Sequence, residues 1–335
     1  MTPGLDPSAM LRVEDLRVSF STPRGLVRAV RGVDLVLGRA QMHAVVGESG
    51  SGKSVSMRAL VGLLPRGRTQ VSGRALLEGV DLLSLDEDQK VGVRGRSVGM
   101  VFQDPLRAMN PTMRVGRQLV EAVSAHGQLG KEALRTRTRE LLDMVQVPSS
   151  LRVMDMFPYE LSGGLRQPVL IATAIAGGAR LLIADEPTTA LYVSIQAGIL
   201  DLFKTLQQDT GTSVILITHN ISLALDYAEA VSVMYAGKVV ETGSRLDLVA
   251  SVRMPYSRGL LDSVPRGSQA RHSRLVTMEG YPPGPTERLE GCSFANRCPW
   301  AEDMCRRREP VLGGEGDSLH RWACWKPLAD QEVPA

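Results

Sequence analysis

The chain is 335 residues long, 43% hydrophobic, 22% charged and only 4% aromatic, the balance of a globular protein and not of a disordered or fibrous one. Thirty-nine basic against 36 acidic residues leave a net charge of +3, too near balance for the broad positive field on which non-specific nucleic-acid binding rests. At this length a single core is close to its practical limit, so one large domain with an appendage, or two unequal domains, is expected.

The first residues, MTPGLDPSAM, have neither a basic start nor an apolar run, so no secretory leader is expected and the cytosol is the expected compartment. From Leu11 to about Leu37 the alternation in Leu16-Val18-Phe20 and Val33-Leu35-Leu37, punctuated by Gly25 and Gly38, predicts antiparallel strands. Thereafter the apolar runs His43–Val46, Val98–Phe102, Leu181–Ala184 and Val214–Thr218 alternate with helix-like segments. That is the pattern of a buried parallel sheet with crossover helices, an α/β fold that places ligands at strand C-terminal ends.

Directly after the first of these runs stands Gly47-Glu48-Ser49-Gly50-Ser51-Gly52-Lys53-Ser54, which fits G-x-x-x-x-G-K-[ST] and precedes a helix-like segment from Ser54 to Leu64. Glycines let such a loop turn its N–H groups toward phosphate oxygens. Lys53 is then expected to reach the β- and γ-phosphates, and Ser54 to ligate Mg²⁺. The run Val98–Phe102 ends in Gln103. A long insert follows, about Asn110 to Leu161, in which Leu134, Leu141, Leu142 and Val145 mark one helical face of a packed subdomain.

Leu161-Ser162-Gly163-Gly164 opens the next helix, with Ser162 as its expected N-cap and two glycines that admit a phosphate to the backbone. The longest apolar stretch, Val169 to Ala179, is far short of the ~20 residues of a membrane-spanning helix. Leu181-Leu182-Ile183-Ala184-Asp185-Glu186 delivers two acids to a strand end. Asp185 is expected to hold Mg²⁺ through water, and Glu186 to polarise the attacking water. His219 ends the run Val214–Thr218, where an imidazole could sense the γ-phosphate.

After about Pro265 the composition turns to Pro, Gly, Arg and Cys, with PRGSQARHSR and YPPGPTE as linker-like stretches, so a domain boundary is expected there: 1–265 and 266–335. All four cysteines lie beyond it, as C-x5-C-x6-C-x18-C: Cys292, Cys298, Cys305 and Cys324. In a reducing compartment disulfides are disfavoured, and four thiolates on a metal are the better reading. The absence of a short C-x2–4-C pair favours an iron–sulfur cluster over zinc, with Zn²⁺ and unligated buried thiols as the alternatives. His320 is expected to pack or hydrogen-bond and not to act as a fifth ligand.

Phosphate loop, Gln103 in VFQDP, LSGG, LLIADEP and His219 in ITHN, in that order, resemble the nucleotide-binding subunit of an ABC transporter, over roughly residues 10 to 265. The resemblance implies a P-loop NTPase of ABC type with an antiparallel β-subdomain and a helical subdomain at about 110–165. It further implies a head-to-tail dimer in which each ATP lies between one phosphate loop and the other LSGG, contributed by Ser162, Gly163 and Gly164. Glu186 would be the general base, His219 the switch histidine and Gln103 a ligand near Mg²⁺ that links the γ-phosphate to the helical subdomain. Phe20 would stack on adenine.

Three positions depart from the family. Tyr192 replaces Asp after Ala190-Leu191, Pro168 replaces Arg after Gln167, and Asn220 replaces Asp after His219. Pro168 removes a backbone donor and is expected to kink its helix after the first turn. One of the two composite sites is therefore expected to be altered.

GCSFANRCPWAEDMC with HRWAC resembles the C-terminal extension of oligopeptide and dipeptide transporter ATPases, which implies a [4Fe–4S] cluster on the four cysteines. With GKSVS, VFQDPLRAMNP and GLRQ it resembles the D-type subunit of a peptide permease. That implies a paralogous ATPase partner, two transmembrane permease subunits, an extracytoplasmic peptide-binding protein and a peripheral place on the cytoplasmic face of the membrane. Related systems with this tail import nickel or other solutes. A soluble ABC ATPase acting on ribosomes or DNA is the rival class, but it predicts two nucleotide domains in one chain, a coiled-coil insertion or a basic arm, none of which stands out here.

Overall fold

Each apolar run forms a strand in the computed structural model, which describes residues 9–127, 129–189, 191–264, 278–315 and 319–328. By their contacts the residues fall into two compact units: Leu37–Met42 with Leu85–Ile217, and Leu11–Val36 with His43–Ser84 and the described residues from Thr218 onward.

In the first unit Val98–Val101, Leu181–Asp185 and Ser213–Thr218 lie parallel, with Val98 opposite Leu181 and Leu181 opposite Ser213. Every residue of the last two strands is buried, as unbroken apolar runs require when a sheet is covered on both faces. The insert forms the helices Val115–Ser124, Lys131–Met144 and Ser150–Asp155. Leu141, Leu142 and Val145 are buried there as their spacing predicts, while Leu134 is only half-buried. The helix Gly163–Ile175 runs without interruption through Pro168.

The second unit holds an antiparallel sheet in the order Gly25–Leu37, Leu11–Thr22, Thr69–Leu77, Val80–Asp81. It also holds Met42–Val46 parallel to Ala230–Tyr235, which pairs with Lys238–Ser244. Arg321–Trp322, from the cysteine-bearing tail, adds a short antiparallel strand with Trp322 opposite Glu241. The tail therefore shares a sheet with the strands that flank the phosphate loop.

The helix after the phosphate loop is Lys53–Leu60, shorter than the segment to Leu64 predicted from sequence. Gly62, at φ 66°, turns it off. Its N–H donates to the Ala59 carbonyl at 3.1 Å and that of Leu63 to the Arg58 carbonyl at 2.9 Å, a left-handed glycine cap. The N-terminal stretch up to residue 8, on which the expected absence of a leader rests, the linker-like PRGSQARHSR with the boundary at Pro265, and Ala190 lie outside the described residues. No helix among the described residues is long and apolar enough to cross a membrane.

His43 is fully enclosed in the strand Met42–Val46, 2.8 Å from the Ser232 hydroxyl, and burial lowers its pKa from 6.5 to about 4. The unfolded chain takes up this proton below about pH 6.5 and the folded one only near pH 4, so the stabilisation is complete at neutral pH and is lost as pH falls between them. Urea unfolding across that window is expected to show about 3 kcal/mol less of this acid-linked loss in His43→Gln than in the unsubstituted chain.

Candidate functional site

In the loop Gly47–Ser54 two of the glycines have no space for a side chain. A Cβ at Gly47 would lie 2.1 Å from the Met234 carbonyl oxygen, and one at Gly52, at φ 102°, 2.5 Å from that of Ala29. Glycine alone satisfies both positions. Lys53 is 4% exposed, and its Nζ donates to the carbonyls of Gly47 at 2.6 Å and Glu48 at 2.8 Å and to the Ser51 hydroxyl at 3.3 Å. The ammonium is thus folded back along the loop, where a bound phosphate would compete for it with the carbonyls.

Glu48 is held at both ends. Its N–H donates to the Tyr256 hydroxyl at 2.9 Å, and its carboxylate receives both arms of Arg297, at 2.9 and 3.0 Å. Tyr235, Tyr256 and Phe294 form a cluster of rings with centroids 4.5 to 5.4 Å apart. The Arg297 guanidinium lies over two of these rings, Tyr235 at 5.8 Å and Phe294 at 5.7 Å. Burial pushes the Tyr256 hydroxyl far above its ordinary pKa, which leaves it a neutral partner for the loop. Nothing in the sequence singles out Arg297, Tyr235 or Tyr256. The one available signal is an acid inside a loop built for anions, which requires a cation from elsewhere.

In the other unit the strand Leu181–Asp185 ends in the expected acids. Asp185 is 1% exposed, and Glu186 has a left-handed φ of 49°, uncommon for a residue with a Cβ and frequent at functional sites. The Glu186 N–H donates to the Ile217 carbonyl at 3.0 Å. Its Oε2 receives the Gln103 amide at 3.0 Å and the Thr189 hydroxyl at 2.9 Å. Gln103 and Glu186, 83 positions apart, are therefore brought together as the motifs suggest. Ser162 stands at the N-cap of Gly163–Ile175, but its hydroxyl makes no capping bond, which corrects the expected cap. Ser162 and Gly163 are exposed, and Gly164 is half-buried.

His219 is exposed at the end of Ser213–Thr218. Asn220 caps Ile221–Tyr227, its Oδ1 accepting from the N–H of Ser222 at 3.0 Å and of Leu223 at 3.3 Å. Tyr192 occupies the N-cap of Val193–Thr210 with no side-chain cap and is 82% exposed. Phe20 is half-buried on Leu11–Thr22, opposite Thr69.

The four cysteines are free of disulfides and line a single pocket with Phe294, Trp300 and Trp325 among its walls. Burial raises the thiols of Cys292, Cys298 and Cys324, the last to about 12, so in the absence of a cation they remain protonated. No three His, Cys, Asp or Glu side chains among the described residues converge on a point that could hold one metal ion. The described geometry therefore supports neither the expected [4Fe–4S] cluster nor its Zn²⁺ alternative. The four thiols share the lining of that one pocket. His320 is buried with its Nε2 2.9 Å from Glu241 Oε1 and lies outside the lining of that pocket.

Residues 30–189 match the ABC transporter family, and residues 240–305 match the oligopeptide/dipeptide transporter C-terminal region. The oligopeptide transport ATP-binding protein OppD of Mycobacterium tuberculosis is 46% identical over 95% of this chain and 52% of its own length. OppD of Bacillus subtilis is 44% identical over 90% of this chain and 85% of its own, and the dipeptide transport protein DppD of the same organism is 44% identical over 97% and 96%. The chain spans about half the length of the mycobacterial relatives.

Among solved structures, the ATP-binding cassette MJ0796 in a dimeric post-hydrolysis state bound to ADP and Pi is similar with a TM-score of 0.63 and 25% identity, over 70% of this chain and 99% of that one. So is cbiO1 from Clostridium perfringens, part of the ABC transporter complex cbiONQ, with a TM-score of 0.62 and 26% identity, over 72% and 91%.

The Asn220 cap is separable from any chemistry. Asn220→Ala is expected to cost about 1 kcal/mol in urea unfolding, whereas Asn220→Asp, which keeps the accepting oxygen, is expected to cost almost nothing.

Proposed function

The chain belongs to the ATP-binding proteins of oligopeptide and dipeptide ABC transporters, and we propose that it binds and hydrolyses ATP to power peptide import. The observation that carries this reading is the phosphate loop, with a buried lysine folded along its carbonyls, in a chain 44% identical to OppD and DppD over most of their length. Loop N–H groups and Lys53 hold the β- and γ-phosphates. Ser54, Asp185 and Gln103 hold Mg²⁺, which supplies charge neutralisation at the transferring phosphoryl group. Glu186 takes the proton of the attacking water, and His219 contacts the γ-phosphate. Ser162, Gly163 and Gly164, exposed at a helix start, face the ATP of a second subunit. Phe20 stacks on adenine.

The second subunit is a paralogous ATPase, and the pair docks on two transmembrane permease subunits at the cytoplasmic face, served by an extracytoplasmic peptide-binding protein. The engine comprises residues 1–265 and the extension residues 266–335. Cys292, Cys298, Cys305 and Cys324 would hold a [4Fe–4S] cluster. Their sharing one pocket without disulfides supports that reading. A bound cluster would tie together the segment around Cys292 and Cys298, the short helix Asp303–Arg307 that carries Cys305 and the residues just past the strand Arg321–Trp322.

In the complex reconstituted with its permease subunits, Glu186→Gln is expected to lower ATP turnover at least about a hundredfold while ATP still binds. Turnover at the unsubstituted rate would remove Glu186 as the base. Iron and sulfide analysis of the purified chain, with its visible spectrum, tests the cluster: broad visible absorption with both elements present is expected, and zinc in their place would overturn the assignment.

A further inference from the structure

Arg297 lies between two of the cysteines, far along the chain from the phosphate loop, yet two of the four hydrogen bonds of its guanidinium go to that loop. Nη1 and Nη2 grip the two oxygens of Glu48, Nη1 also reaches the Tyr235 hydroxyl at 3.2 Å, and Nε donates to the Glu279 carbonyl at 3.0 Å. The Arg297 side chain is 5% exposed and that of Glu48 26%, so the pair is largely withdrawn from screening by water. The position of Arg297 is set by the cysteine-bearing turn, in which the Ala295 N–H donates to the Cys292 carbonyl at 3.0 Å and the Arg297 N–H to that of Phe294 at 2.9 Å.

Glu48 poses an electrostatic problem. It places a carboxylate within a loop whose task is to accept a polyphosphate, and like charges at short range in a partly buried site repel strongly. Its backbone N–H is spent on Tyr256 and its carboxylate on Arg297, so neither end of the residue is turned to a ligand. A docking ion pair alone would need only to join two surfaces. This one joins the tail to the single acid of the loop.

We propose that Arg297 is a positioning residue of the nucleotide site, a cation supplied by the cysteine-bearing tail that neutralises and pins Glu48 so that the phosphate loop accepts ATP at full affinity only while the tail is folded against it. The proposal rests on the reading of Gly47–Ser54 as the ATP phosphate site, and the test separates the two. Equilibrium binding of a fluorescent ATP analogue with Mg²⁺ is measured on the full chain, with thermal unfolding of each variant as the check on folding.

Lys53→Ala is expected to abolish binding. Arg297→Met, which keeps length and apolar packing, is expected to weaken it about tenfold, and Arg297→Lys, which keeps the charge, to stay within about threefold. Glu48→Gln is expected to bind as tightly as the unsubstituted chain or more tightly, and Arg297→Met combined with Glu48→Gln to return to near that value.

The return of affinity in the double variant is what a merely structural pair would not give. Unaltered binding in Arg297→Met, or a double variant as weak as Arg297→Met, overturns the proposal while leaving the phosphate site standing. Unaltered binding in Lys53→Ala overturns both. Should Arg297→Met not fold, Arg297→Lys and Glu48→Gln decide: a Glu48→Gln chain that binds about tenfold more weakly refutes a role in neutralising charge.

Discussion

A buried ammonium on a loop whose Gly47 and Gly52 have no room for a side chain is the constraint around which the phosphate-binding half of the chain is arranged. Lys53 is withdrawn from water and repaid by two carbonyls and a hydroxyl of its own loop, so the loop must curl tightly enough to present them. Curling that tightly brings Gly47 and Gly52 against the carbonyls of Met234 and Ala29, which fixes where the neighbouring strands run. The turn joining Ala230–Tyr235 to Lys238–Ser244 completes the cradle. Ala236 and Gly237 have φ of 46° and 83°, the pattern of a two-residue hairpin that follows the sheet's twist. The Gly237 N–H then donates to the Ser51 carbonyl at 2.9 Å, and its own carbonyl accepts from Arg31 at 2.8 Å.

The tail is fastened to these same strands by polar side chains as well as by the buried Phe294 ring. Glu241, fully buried, receives the N–H groups of Arg253 at 2.7 Å and Met254 at 3.1 Å and faces the His320 ring. Glu309 takes Arg31 and, at 2.6 Å, Lys238. A short segment with few large apolar residues cannot bury enough area to dock by the hydrophobic effect alone, so specific polar contacts supply registry. They do so at some cost in desolvation, which is tolerable only where each carboxylate finds several donors, as Glu241 and Glu309 do.

Much of this is legible in the sequence because it rests on local chemistry. The parallel strands follow from unbroken apolar runs, and the phosphate loop from glycine spacing beside one lysine. The meeting of Gln103 with Glu186 follows from each standing at the end of a buried strand. Apolar residues continue past Gly62 and suggest a helix to Leu64, whereas the backbone conformation at Gly62 ends it at Leu60. Arg297 was invisible for another reason. Its partner is 249 positions away, and an arginine beside a cysteine carries no local mark of a distant carboxylate. The attachment of Arg321–Trp322 to a strand edge was equally silent, since two residues have no periodicity to read.

The three departures from the family pattern separate by the same logic. Asn220 offers the accepting oxygen that an aspartate would offer, and the helix it caps keeps both bonds, so that replacement is conservative in structure whatever its charge. Pro168 forfeits one backbone donor in a helix that nonetheless continues to Ile175, so its cost is local. Tyr192 differs in kind. An aspartate at that N-cap would accept from the first turn and carry a negative charge to the surface, whereas the tyrosine does neither and exposes 82% of its area. Of the three positions, Tyr192 is therefore the one at which both the charge and the apolar character of an exposed surface change together.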